Sequence, residues 1–171
     1  MIEGPGEYEI KGVFIQGIPS FHDDSQGKER GVNTIYTIEA EEIRLCHLGD
    51  LGQQELTGEQ LEKIGNVDIL MIPIGGTYTI DSKIASNIIP QIEPKIVIPM
   101  HFQIPKLEVH PIKSCEAGIS QKAKLFNGVK LEGVDKFLKT MGIKSVEPLN
   151  KLLIKKKELL PEETKIIVLK P

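Results

Sequence analysis

The stretch Val67-Asp68-Ile69-Leu70-Met71-Ile72, closed by Pro73-Ile74-Gly75-Gly76, decides the fold class. It is a short, nearly continuous apolar run bounded by turn residues, as expected of a strand covered on both faces. Lys95-Ile96-Val97-Ile98 reads the same way and runs into Pro99-Met100-His101. Between the two, Asp81 is a good N-cap for a helix to about Gln91, with Ile84, Ile88 and Ile89 at helical spacing and Glu93-Pro94 as the stop. Upstream, Thr57 with Gln60 has the capping-box pattern for a helix to about Ile64. Ile43 to Leu48 is a strand before that helix. Strand, helix, strand, helix and strand therefore alternate, which predicts a layered α/β sheet with helices on one side.

Outward toward the N-terminus the pattern is all strand. Glu7 to Ile10 and Val13 to Ile18 flank Lys11-Gly12, which predicts a hairpin with a tight turn. The loop Ser20 to Arg30 is rich in Asp, Ser, Gly and charge, and it carries His22. Thr34 to Glu39 is joined to the Ile43 strand by the acidic link Ala40-Glu41-Glu42. The glycines of Gly49-Asp50-Leu51-Gly52 permit sharp turns and leave Asp50 at a strand end. Toward the C-terminus, Val134, Phe137, Leu138 and Met141 form a helical stripe stopped by Gly142. Leu152 to Ile154 and Ile166 to Leu169 are expected as final strands, and Lys155-Lys156-Lys157 as a solvated turn. No repeat, low-complexity segment or linker divides the chain, so residues 1–171 read as one domain.

The 171 residues suffice for one real core, and 40% hydrophobic with 26% charged residues is ordinary globular composition. A net charge of −3 gives no general attraction to nucleic acid or to a membrane surface. No apolar run reaches the roughly 18 residues of a membrane span. Cys46 and Cys115 make no disulfide framework and read as reduced thiols of a cytoplasmic protein, with Cys46 in the core.

His22, Asp50 and His101 share a pattern: each is polar and each closes an apolar strand. Sites gather at strand ends in layered α/β proteins. Two imidazoles and a carboxylate delivered there suit a Zn²⁺-type ion. From spacing alone the plainer alternative stands beside it, with Gly49-Asp50 a turn and Met100-His101 a strand exit. His47 is three residues before Asp50, but strand alternation puts it on the opposite face, so it reads as a supporting or core residue. His110 has no supporting context.

Six segments carry a family resemblance: Gly4-Pro5-Gly6-Glu7-Tyr8-Glu9-Ile10, Ile18-Pro19-Ser20-Phe21-His22-Asp23, Arg30-Gly31-Val32-Asn33-Thr34-Ile35-Tyr36, Leu45-Cys46-His47-Leu48-Gly49-Asp50-Leu51-Gly52, Val67 to Gly76, and Ile96-Val97-Ile98-Pro99-Met100-His101-Phe102. In this order they resemble the metallo-β-lactamase-fold hydrolases, and most of all their ascorbate-6-phosphate-lactonase-like branch. The resemblance implies part of an αββα sandwich with one or two Zn²⁺ or Mn²⁺ ions between its sheets. It implies His22 as a ligand of one metal, Asp50 as the bridging carboxylate, and His101 as a ligand of the second. It also implies a small-molecule substrate. Arg30 is then a candidate for steering an anionic substrate, and the backbone amides of Gly75 and Gly76 for lining the pocket.

The family's His-x-His-x-Asp-His motif, which supplies most of the ligands, does not occur in this sequence. The resemblance therefore implies an N-terminally incomplete domain, with two protein ligands per ion where open catalytic zinc sites have three. One ion shared among His22, Asp50 and His101 is the remaining geometry. An incomplete sandwich exposes apolar sheet, so a homo-oligomer or a separately encoded N-terminal half is the expected partner. Two functions follow: a metal-dependent hydrolase acting on a lactone, ester or phosphodiester, or an inactive remnant serving as a scaffold or interaction domain.

Overall fold

A computed structural model describes residues 2–104, 130–154 and 160–170. His110, Cys115 and Lys155-Lys156-Lys157 lie outside the described residues. Among the described residues, seven strands form one mixed sheet in sequence order: β1 (Gly6–Ile10), β2 (Val13–Phe21), β3 (Val32–Ala40), β4 (Ile43–His47), β5 (Ile69–Pro73), β6 (Ile96–Met100) and β7 (Lys165–Ile166). The pairs from β1 to β4 are antiparallel and those from β4 to β7 are parallel. The predicted hairpin is present: Ile10 pairs with Val13, and Lys11-Gly12 turn with φ of 52° and 79°.

Helices α1 (Gly58–Ile64), α2 (Ser82–Ile92) and α3 (Val134–Thr140) form one layer, in which α1 touches β2 and α2, and α2 touches α3. The Thr57–Gln60 capping box forms as read, and the Asp81 carboxylate accepts from the Ile84 N–H. α2 buries Ala85, Ile88, Ile89 and Ile92, and α3 buries Phe137 and Leu138. Together with Ile18, Ile35, Cys46, Leu70, Ile72 and Val97 from one face of the sheet they make the main core. The helical layer therefore covers one side, as predicted.

Three details differ from the sequence reading, the first being that the strand expected over Ile166 to Leu169 is the two-residue β7, Lys165–Ile166. β5 includes Pro73 as its last residue and β6 runs through Pro99, instead of stopping before them. In a parallel ladder successive N–H groups alternate between the two neighbouring strands. Pro99 therefore lacks only a donor toward the short edge strand β7. Leu152 to Ile154 forms no strand; Leu152 and Ile154 instead pack as irregular chain on the second sheet face, against Ile69, Ile96, Ile98 and Ile167.

Among the described residues, that second face is covered only at the β5–β7 end. Near β2 to β5 it presents Ile15, Tyr36, Ile38, Leu45, His47 and Met71, all partly exposed, around an open cleft of about 500 Å³.

Candidate metal centre

His22 follows β2, Asp50 lies just beyond β4 and His101 follows β6. β2 and β4 are each antiparallel to β3, so they run the same way, and β4 to β6 are parallel. All three residues therefore emerge at one edge of the sheet, at the carboxyl ends of its strands.

Asp50 and His101 meet there. His101 Nδ1 is 3.2 Å from Asp50 Oδ1, and both side chains are near half exposure. His101 has φ of 55°, the left-handed region that few non-glycine residues adopt. Such strain of roughly 1–3 kcal/mol persists where the surroundings fix it, in turns as well as at functional sites. The surroundings are visible: a Cβ on Gly75 would lie 2.1 Å from the His101 carbonyl oxygen. Gly52 plays the same part for the first histidine, since a Cβ there would lie 2.2 Å from the His22 carbonyl oxygen. Each histidine backbone is thus packed against a glycine that admits no side chain.

His22 is held from several sides. Its N–H donates to Gly31 O at 3.1 Å, and the preceding Phe21 N–H donates to Gln53 Oε1 at 3.2 Å. Gln53 is paired with Gln60 in a buried amide network that also reaches Pro19 O. Asp23, 2% exposed, organises the loop that follows. Its Oδ1 accepts from the N–H groups of Ser25 and Gly27, and its Oδ2 from those of Glu29 and Arg30, at 2.7–3.0 Å. Burial alone would push this carboxyl up. The amides of Arg30, Gly27, Glu29 and Ser25 outweigh that and hold it below the ordinary carboxylate value.

The Gly49-Asp50 turn is also anchored. Gly49 has φ of 61°, so the chain does not run straight from β4 to Asp50. The Asp50 N–H donates to Asn33 Oδ1 at 3.0 Å, and the Gly49 N–H donates to His47 Nδ1 at 3.0 Å. His47 lies on the opposite face from the buried Cys46 and Leu48, in line with the alternation, and supports the turn from there. Burial and the nearby His101 depress its pKa, and the Asp50 charge works the other way.

Among the described residues, no group of three His, Cys, Asp or Glu gathers closely enough to hold a metal ion. Asp50 and His101 are brought together, and His22 is not part of a three-residue cluster with them. One ion shared by all three is thus not preformed.

The profile of the beta-lactamase superfamily domain matches residues 1–101, more than half of the chain. This chain belongs to that family. A solved structure, that of a protein from Thermotoga maritima assigned to the Zn-dependent hydrolases of the metallo-β-lactamase superfamily, has a TM-score of 0.71 and 36% identity. The match covers 98% of this chain and 70% of that one. Curated relatives are the UPF0173 metal-dependent hydrolases of Pyrococcus horikoshii, 32% identical over 98 residues, and of Thermococcus onnurineus, 34% identical over 101 residues. Each alignment covers 57% of this chain and 44% of the relative, so the chain spans about half the length of the curated relatives it matches.

Within this metallo-β-lactamase-type domain the donor chemistry fits a divalent cation. Two imidazoles and a carboxylate are its ordinary ligands. The buried His22 Nε2 has no hydrogen-bond partner, an unsatisfied state that a cation or another donor set would relieve. Their number fits only part of a coordination shell. The Arg30 guanidinium lies 5.7 Å from the centroid of the Tyr78 ring. Gly76 offers no free amide, because its N–H donates to Ile80 O at 3.2 Å. Gly75 acts as the spacer beneath His101.

The sequence reading passed over Asp23 and Asn33. Both had a signal. Asp23-Asp24-Ser25-Gln26-Gly27 is the composition of a loop closed by an aspartate side chain. Asn33 is a strand-disfavoured residue among β-branched ones, as expected when its side chain has bonds to make.

Proposed function

We propose that this domain contributes ligands to a metal-dependent hydrolase of the metallo-β-lactamase superfamily. His22, Asp50 and His101 are the ligand positions, and Zn²⁺ or Mn²⁺ is the cation, with one or two ions in the complete site. The observation that carries the reading is the Asp50–His101 contact at the carboxyl edge of the sheet, with each histidine backbone locked against a glycine. Such a cation, when bound, supplies Lewis acidity and lowers the pKa of its water. The chain's own residues orient the ligands: Asn33 and His47 hold the Asp50 turn, Gly75 the His101 backbone, and Asp23 and Gln53 the His22 loop.

The substrate is a small molecule with a lactone, ester or phosphodiester group, and the sequence resemblance favours the ascorbate-6-phosphate-lactonase-like branch. Arg30, held beside Tyr78, steers its anionic part. The missing donors come with the polypeptide that covers the open face of Ile15, Ile38, Leu45 and Met71. That is a second copy or a separately encoded N-terminal half, in the cytoplasm.

The test is turnover of a panel of lactones and phosphodiesters with added Zn²⁺ or Mn²⁺, in wild type and in Asp50→Asn. Metal-dependent hydrolysis that falls by roughly a hundredfold or more in Asp50→Asn supports the reading, since losing a ligand costs at least as much as the roughly 10–100-fold of losing a group that supports one. A second reading, an inactive scaffold or interaction domain, is favoured by the absence of a preformed three-ligand cluster among the described residues. It predicts no turnover under any metal, in isolation or with the partner.

A further inference from the structure

Asn33 sits at the start of β3, one strand away from the turn it serves. Its carboxamide makes three contacts at once. Oδ1 accepts from the Asp50 N–H at 3.0 Å, and Nδ2 donates to Leu48 O at 2.9 Å and to Ser20 Oγ at 2.8 Å.

The Leu48 contact has a definite origin in the ladder. Leu48 donates to Met71 O, so in the parallel register the next donor, to Leu48 O, would be residue 73. Residue 73 is a proline and has no N–H. Asn33 Nδ2 replaces the missing backbone donor. The same side chain then passes its acceptor to Asp50. Gly49 leaves room for this, since a Cβ there would lie 2.4 Å from Asn33 Oδ1.

We propose that Asn33 is a positioning residue for Asp50, a carboxamide clip that ends the β4–β5 ladder and aims the Asp50 turn at His101. This rests on the reading of Asp50 as a cation ligand. Asn33 touches neither the cation nor the substrate; it acts through the Asp50 backbone. The Gly49–His47 bond holds the other side of the same turn.

Two readouts test it. One is amide hydrogen exchange at Asp50, followed by NMR in the intact chain without metal. The other is Zn²⁺ or Mn²⁺ affinity. Asn33→Ala is expected to speed exchange of the Asp50 amide by about tenfold, as for loss of one hydrogen bond. It should also weaken cation binding by about 10–100-fold, the usual effect of losing a group that orients a ligand. Asn33→Asp keeps the acceptor for the Asp50 N–H and should retain that protection, which covers the case in which the alanine variant fails to fold. Ser20→Ala removes a partner of Nδ2 and should lower Tm while leaving Asp50 exchange and cation affinity within about twofold.

The proposal is overturned if the Asp50 amide stays equally protected in Asn33→Ala, or if Ser20→Ala weakens binding as much as Asn33→Ala. Wild-type protein that binds neither cation would count against the metal reading, and the exchange result would still decide the role of Asn33.

Discussion

Gly75 carries the tightest steric constraint at the site, because the nearest atom to an added Cβ is a backbone oxygen, that of His101, at 2.1 Å. A flexible side chain could swing away, but a carbonyl within a strained turn has little room. Gly75→Ala is expected to lower unfolding free energy by about 2 kcal/mol, in the range of overpacked cores. It should also shift the His101 resonances in NMR spectra. Gly58→Ala is the matched control: an added Cβ there meets nothing within 4 Å, and the position is helical. It should be neutral or slightly stabilising by urea titration. At this scale chemistry alone singled out His22, Asp50 and His101, of which the structure brings Asp50 and His101 into contact. The sequence was less legible where a residue's role depends on a neighbouring strand. Asn33 matters because Pro73, far along the chain, lacks an N–H, and that pairing exists only once β4 and β5 are in register.

The turn between β3 and β4 is built against backbone preference. Glu41 and Glu42 have φ of 51° and 66°, and Ala40 pairs with Ile43, so two glutamates fill a two-residue hairpin turn that asparagine and glycine suit best. The double substitution Glu41→Asn with Glu42→Gly is expected to raise stability by about 1 kcal/mol, read by thermal or urea unfolding. A second element to test is the strap at residues 130–133. Glu132 accepts from Ser82 N and Oγ and from Lys136 Nζ, its own N–H donates to Gly75 O, and Gln103 N donates to its carbonyl. Burial would raise the Glu132 carboxyl, but the bonds to Lys136 and Ser82 win and hold it below the ordinary value. A depressed folded-state pKa means stability that is full above the unfolded value of about 4.3 and lost as pH falls through the folded one. Stability should therefore drop below about pH 4.5, and Glu132→Gln should flatten that part of the curve while lowering stability at pH 7 by about 1–2 kcal/mol. The strap was not read from sequence, since Leu131-Glu132-Gly133 has no periodicity to announce it. The helices and inner strands were, because capping residues and apolar runs are local signals.

As a whole the molecule is a helix layer on one face of a mixed sheet, and among the described residues the other face is only partly clothed. The layered α/β architecture was legible because strands and helices alternate between Ile43 and Ile98, and the family because six segments keep their order. What local sequence does not encode is the third dimension of the site: which strand ends converge, and how many ligands arrive. The functional reading depends on one claim, that His22, Asp50 and His101 belong to a cation site at the carboxyl edge of this sheet. The direct measurement is calorimetric titration of Zn²⁺ and Mn²⁺ into the purified chain and into His101→Ala, with metal content measured on the same samples. Saturable binding near one or two ions per chain, weakened at least about tenfold in His101→Ala, is the predicted result. Binding that is absent from the wild type both alone and with the polypeptide that covers its open face, or that is unchanged by removing His101, would contradict the claim.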